Sequence, residues 1–416
     1  MKKLGKYSFG TGDRFSHQGE AQLAGLLKAQ RELGVAITPV WNKSNREHNL
    51  IHSEPTDTRR EADAAVKALN YAGPYFVDAD HINLNTVDRY IEPCDFFTLD
   101  VADYIGKAAA PAEIDAFIVR QQKFVGALKI PGIDEPFEVT FDGLRRFAEK
   151  FLFAVIEAEK IYRHIASRKG AGNFITEVSM DEVDEPQKPL DLLFILKALA
   201  DLKVPVQTIA PKFTGRFNKG VDYQGDVGQF GKEFEEDMRV IDYAVAHFGL
   251  PAELKLSVHS GSDKFSIYPV IGGLLRKHDK GVHVKTAGTT WLEEVIGLSI
   301  SGEEGLSLAR AIYAGAYGRR DELCGPYATV IDIREERLPT PETVNRWSGE
   351  DFASALRHIP DQPKYNPSVR QLIHVGFKIA AEMGKAYSDA LEKNRRVIAP
   401  CVTENIFDRH LRRMFG

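Results

Sequence analysis

The chain has 416 residues, 43% of them apolar and 27% charged, with 34 glycines, the makeup of two or three ordinary domains or of one large barrel with appendages, and this excludes disordered, collagenous and fibrous readings. Lys and Arg number 54 against 59 Asp and Glu, a formal charge of −5, which argues against nucleic acid or an anionic membrane as partner and leaves a small molecule. Three scattered cysteines (Cys94, Cys324, Cys401), no apolar stretch behind the basic N-terminus and a longest apolar run of only Leu192 to Leu196 exclude a disulfide framework, a secretory signal and a membrane span, so a cytoplasmic location is expected.

Eight β-branched or aromatic runs are predicted as strands, at 7–13, 36–41, 75–81, 96–101, 173–180, 207–213, 254–259 and 282–286. Between most of them lie amphipathic stretches long enough for crossover helices, at 18–33, 59–71, 190–202 and 232–248. Alternating β and α with a count of eight predicts a (β/α)8 TIM-type barrel over 1–301 rather than an open doubly wound sheet. After the fourth strand, 110–169 reads as two long helices joined by a Pro- and acid-containing turn at 130–137, a helical insertion spanning about 107–169. From 302 to 416 the apolar spacing turns helical, at 306–317, 371–391 and 407–414, and predicts an extension packed on the barrel.

A barrel of this kind carries its site at the C-terminal ends of its strands, and here every predicted strand finishes in ionisable or amide side chains. In chain order they are Asp13 and Arg14; Asn42 and Lys43; Asp78, Asp80 and His81; Asp100; Glu177, Ser179 and Asp181; Lys212; His259, Ser260, Ser262, Asp263 and Lys264; and His283 and Lys285. His81, His259 and His283 could converge on one divalent cation with a position left open for substrate, with Glu177 or Asp222 as alternatives for the third ligand. A hydrogen-bonded strand-end histidine is the competing reading for any one of them. Zn, Mn, Ni, Co and Fe all suit such donors.

Asp80 and Glu177, read as lying on roughly opposite sides of the barrel axis, could flank a substrate as acid and base. Lys212 and Lys285, read as adjacent strand ends, and Lys264 and Arg14 are candidate substrate clamps, with Asp13, Asp222, Ser260 and Asp263 beside them. Gly10-Thr11-Gly12 lacks the third glycine of a dinucleotide fingerprint, and no phosphate-binding P-loop occurs.

The ordered series SFGTGDR, DADH, FTLDVADYIG, EVSMDE, KGVDYQGD, HSGSDKFSIYP, HVKTAGT and RQLIHV resembles the tagaturonate epimerase family along nearly the entire chain. The resemblance implies C4 epimerisation of tagaturonate and fructuronate, or of tagatose and fructose. It also implies a divalent metal faced by His81 and His259, and an acid or base at each of Asp80 and Glu177. On the same resemblance, the segment that members carry ahead of SFGTGDR is expected to be missing here. DADH and HSGSDK are also similar, more faintly, to class II metal-dependent aldolases, which implies that the carbon β to the ketone is inverted by breaking and remaking the C3–C4 bond. A true aldolase and a non-catalytic sugar-binding barrel are the competing readings. The partner is a small ketose or ketohexuronate in each case, and a homo-oligomer is compatible with all of them.

Overall fold

The computed structural model describes residues 2–286, 288–359 and 361–416. Eight parallel strands close into a barrel in the order β1-β10-β9-β8-β7-β4-β3-β2, namely β1 Tyr7–Gly12, β2 Thr38–Ser44, β3 Phe76–Ile82, β4 Phe96–Asp100, β7 Ile175–Ser179, β8 Thr208–Ala210, β9 Lys255–His259 and β10 Val282–Thr286. Helices run between them, among them Gly19–Leu33, Pro55–Ala68, Pro189–Asp201, Val227–Phe248 and Tyr268–His278. This is the predicted (β/α)8 barrel, and each of the eight expected runs contains its strand to within three residues at either end.

The strand period of two sorts the barrel interior into layers. Val40, Phe76, Phe96 and Ile175, with Leu4 from the N-terminus, form a separate apolar plug at the base. Two residues further along β3, β4 and β7 come Asp78, Thr98 and Glu177, with His283 facing inward on β10, and two further again on the four strands Asp80, Asp100, Ser179 and Lys285. The polar layers therefore stand on an apolar floor. Gly10 on β1 makes room for them, because a Cβ there would lie 2.9 Å from Lys285 Cγ and 2.9 Å from Asn42 Nδ2.

The insertion differs in detail from its prediction. Helix Pro111–Gln121 leads into a two-stranded antiparallel hairpin, β5 Gly126–Leu128 and β6 Phe137–Val139, before the long helical stretch 141–169, which contains a π-helical segment at Ala148–Leu152. The hairpin's three-residue strands are too short to leave a periodic signal. The C-terminal region 303–416 is helical, as expected, and shares one continuous apolar core with the barrel. Trp291, on the helix after β10, donates its indole N–H to Ile373 O at 2.9 Å, one of the contacts that lay the extension across the barrel mouth. No described helix is long and apolar enough to cross a membrane.

Candidate active site

A cavity of about 300 Å³ opens at the C-terminal ends of the strands, lined by Asp80, His81, Asp100, Asp181, His259 and Lys285 from the barrel and by Tyr327 and His374 from the extension. It joins a second, outer cavity of about 390 Å³ through Arg46, Asp181, Glu182, Lys219, His259, Gly261 and Tyr327. The volumes suit a six-carbon sugar acid.

His81 and His259 meet across this mouth with ring centroids 5.2 Å apart. Period-two alternation alone would turn His81 away from the interior, since Asp80 faces inward. A register shift between Ala79 and Ile82 and a left-handed backbone at His81 (φ 51°) bring its ring round, a strained conformation of the kind that functional positions retain. His81 Nδ1 lies 3.2 Å from Asp100 Oδ2, and His259 Nε2 lies 2.9 Å from Glu177 Oε1. Each carboxylate takes the ring N–H and leaves the other nitrogen free to ligate.

Below the histidines a single ammonium organises the acidic layer. Lys285 Nζ reaches Asp78 Oδ2 at 2.7 Å, Asp80 Oδ1 at 2.9 Å, Glu177 Oε1 at 2.9 Å and Thr98 Oγ1 at 2.5 Å. Burial pushes the carboxyl groups up, but the lysine together with the neighbouring histidines (His81 and His259 at Asp80, His259 and His283 at Glu177) outweighs it and holds both below their ordinary range. Asp78, fully buried and beside both other carboxylates, is left raised to about 6. The lysine itself is pushed down by burial and, more strongly, up by its three carboxylates.

Asp80 and Glu177 are therefore not on opposite sides of the axis. Their strands are separated only by β4, and Lys285 bridges them. Asp80 lines the cavity, whereas Glu177 is fully buried beneath it and reaches it only through His259 and Lys285. Lys212 and Lys285 are not on adjacent strands either, because β9 lies between β8 and β10; Lys212 lines the outer cavity alone.

Other candidates are diverted from the mouth. His283 faces inward one layer too deep, its Nδ1 2.9 Å from Ser8 Oγ, and burial drives it down to about 3. Asp263 is clamped to the extension by Arg370 Nη2 at 2.5 Å and His358 Nδ1 at 3.2 Å. Lys264 is buried, donating to Asn218 O at 3.0 Å and Val221 O at 2.8 Å. Asp222 accepts from the Ser266 hydroxyl at 3.0 Å, and Asp13 accepts four backbone N–H groups in the turn before helix Gly19–Leu33. Ser260 lines the outer cavity, with its Oγ donating to Lys285 O at 2.7 Å. Arg14 does line the cavity but is held by Glu47 Oε1 at 3.0 Å, His374 O at 3.2 Å and the Phe377 ring at 3.9 Å.

In their place the structure adds Asp100, Asp181, Glu182, Lys219 and His374. Asp100 and Asp181 stood at predicted strand ends and the other three inside the quoted motifs, but only folding shows which way they face.

The donor set fits a divalent cation. His81, Asp181 and His259 each offer a ligand atom, all within 4.8 Å of one another, and His81, Asp100 and Glu182 form a second such group. His259 Nδ1 is buried without a hydrogen-bond partner although Asp181 Oδ1 is 3.2 Å away, the arrangement of two donors aimed at a shared centre rather than at each other. Imidazole nitrogens with a carboxylate suit Zn, Mn, Fe, Co or Ni.

The model of the tagaturonate epimerase family matches residues 1–405. A curated relative, the tagaturonate/fructuronate epimerase of Thermotoga maritima, is 28% identical over 96% of this chain and 79% of its own length. In crystal structures of a fructuronate-tagaturonate epimerase from Cohnella laeviribosi, the glycerol complex superposes with a TM-score of 0.81 at 23% identity, covering 99% of this chain and 82% of that one. The native form gives 0.79, also at 23% identity. Together with the barrel and its metal-suited mouth, the family match over almost the whole sequence establishes that the chain belongs to the tagaturonate epimerase family, whose members are isomerases.

Proposed function

We propose that this enzyme interconverts tagaturonate and fructuronate by opening and re-forming the C3–C4 bond, with a divalent cation held by His81, His259 and Asp181. The observation that carries the reading is the meeting of that donor set with the Asp80–Lys285 pair on one cavity wall. The Thermotoga relative's activity supports the substrate pair.

When bound, the cation supplies Lewis acidity at the substrate's carbonyl and neighbouring hydroxyl oxygens. Asp80, kept ionised by Lys285, takes the proton from the C4 hydroxyl as the C3–C4 electron pair moves toward the C2 carbonyl. An enediolate and an aldehyde result. The aldehyde turns over within the cavity, the bond re-forms on its other face, and Asp80 returns the proton to the C4 oxygen. The Lys285 ammonium stabilises negative charge at this wall. Glu177 is a positioning residue, fixing the His259 ring from below. The extension closes the mouth through His374 and Tyr327, holding the fragments in.

The test is to incubate metal-loaded protein with tagaturonate, fructuronate, tagatose and fructose and follow products by NMR. Interconversion of the first pair is expected. Net accumulation of a three-carbon aldehyde would make the protein an aldolase, and binding without turnover would make it a sugar-binding barrel.

A further inference from the structure

Six cationic side chains line the two joined cavities: Arg14, Arg46, Lys212, Arg216, Lys219 and Lys285. Lys285 is committed to three carboxylates, and Arg14 to Glu47 and the His374 carbonyl. Lys212 and Arg216 touch only the outer cavity. Lys219 and Arg46 line both, at the seam between them. Among the described residues neither has an acceptor for its charged group: Arg46 lies only over the Tyr327 ring, 4.8 Å from its centroid, and the Lys219 ammonium is bonded to nothing.

Lys219 is nevertheless carried on a pinned backbone. Its N–H donates to Val330 O at 2.7 Å, and its carbonyl accepts from Gln371 Nε2 at 3.1 Å. The following Gly220 is held by Ser262 Oγ at 2.9 Å and by Arg370 Nε at 2.6 Å. Gly261, in a left-handed turn (φ 66°), packs beside this side chain, where a Cβ would be in ordinary contact 3.6 Å from Nζ. A half-buried cation carried on a fixed backbone without a counter-ion forgoes solvation that an anionic ligand would restore. Around the reacting end of the inner cavity the carboxylates of Asp80, Asp100, Asp181 and Glu182 disfavour a second anion.

We infer that Lys219, with Arg46 beside it at the seam, receives the substrate carboxylate and sets the preference for a hexuronate over a neutral hexose. This rests on the proposed epimerase reading, and places the reacting carbons toward Asp80 and the acidic end toward Lys219.

The test compares kcat/KM for tagaturonate and tagatose in wild type, Lys219→Met, Lys219→Arg and Arg46→Met, with bound metal measured in each. Lys219→Met should lower kcat/KM for tagaturonate about 100-fold, mainly through KM, and change tagatose less than about threefold. Arg46→Met should cost about tenfold on the uronate alone, and Lys219→Arg should keep most of the activity. Competitive inhibition by galacturonate, which carries the same carboxylate, should weaken in parallel in Lys219→Met. Equal losses on both sugars with metal retained, or no change in galacturonate inhibition, would overturn the subsite and leave the epimerase reading intact. Failure of the wild type to convert tagaturonate would overturn that reading, and the subsite with it.

Discussion

Glu177 Oε1 lies 2.9 Å from His259 Nε2, beneath a cavity that Glu177 itself does not line. The pair separates two tasks that a strand-end carboxylate could perform. Asp80 meets the cavity and moves a proton; Glu177 fixes the tautomer and angle of a ligating ring.

Exchange of each carboxylate for its amide should separate them. Asp80→Asn should retain metal and lose about two to four orders of magnitude in turnover, the usual weight of a general acid or base. Glu177→Gln should weaken metal binding about 10- to 100-fold and recover much of its turnover when metal is in excess. Metal titration followed by kcat at saturation distinguishes the two. Equal metal loss in both variants would move Asp80 into the coordination sphere.

Metal binding should depend steeply on pH. In the metal-free protein burial lowers His259, but the carboxylates of Asp181 and Glu177 raise it to about 9, and His81 is raised likewise by Asp80 and Asp100. A cation must displace those protons, so apparent affinity should climb at least about tenfold per pH unit up to about 9. His81→Ala and His259→Ala should stay folded by circular dichroism, lose stoichiometric metal and retain under about 1% of activity. Full activity after exhaustive chelation would sink the metal reading.

Lys285→Met removes the charge that three buried carboxylates share. In the native barrel Asp80 and Glu177 have lowered pKa values, so their stabilising contribution is present at neutral pH and lost only as pH falls through those values in acid. Asp78, at about 6, works the other way, its contribution being lost as pH rises through 6. Without the ammonium all three carboxyl groups move upward. The variant's deficit should therefore grow with pH, reaching about 3–5 kcal/mol near pH 8 and shrinking toward pH 5, as read by urea denaturation at both. A deficit independent of pH would show that lost packing dominates.

The barrel was legible because its signal is local: strand runs and crossover lengths repeat eight times, and the polar strand ends mark the mouth. The same locality limited the site. His283 and Lys285 share one face of β10, but which of them reaches the mouth depends on how high that strand stands against its neighbours. Asp263 and Lys264 follow β9 as a pocket rim would, yet the partner that claims Asp263 is Arg370, 107 residues later. Lys219 and His374 lay in motifs whose length was noticeable, and nothing local showed that their loops arch over the barrel.

The Asp263–Arg370 clamp makes a prediction that separates architecture from substrate recognition. Both side chains are fully buried, so Arg370→Met should leave a carboxylate without its main counter-charge and cost about 3–5 kcal/mol. The double variant with Asp263→Leu should recover part of that loss. Lys264→Met should likewise lower stability, because its ammonium is spent on the backbone carbonyls either side of Lys219. A variant as stable as the wild type in urea would show that those bonds do not hold the loop.

The route of inversion is decided by the fate of the hydrogen on C4. That hydrogen is not acidic, being one carbon too far from the ketone, so direct removal would need a base strong enough to form an unstabilised carbanion. The structure offers Asp80, held ionised and thus weakly basic, a strength suited to a hydroxyl whose proton leaves in step with C–C cleavage. Asp80 stands alone as the carboxylate of the Lys285 cluster that lines the cavity, since Glu177 and Asp78 lie beneath. An inversion by proton transfer on both faces of C4 would require a second base across from it. Cleavage and recombination require only that the aldehyde turn while one carboxylate takes and returns a proton on oxygen. Conversion of tagaturonate in D2O should therefore give fructuronate without deuterium at C4, and trapping with hydroxylamine during turnover should capture a small amount of three-carbon aldehyde. Stoichiometric deuterium at C4 would overturn the cleavage route, and would require the search for a second base to start from Asp181 and Glu182, the acidic residues shared by the two cavities.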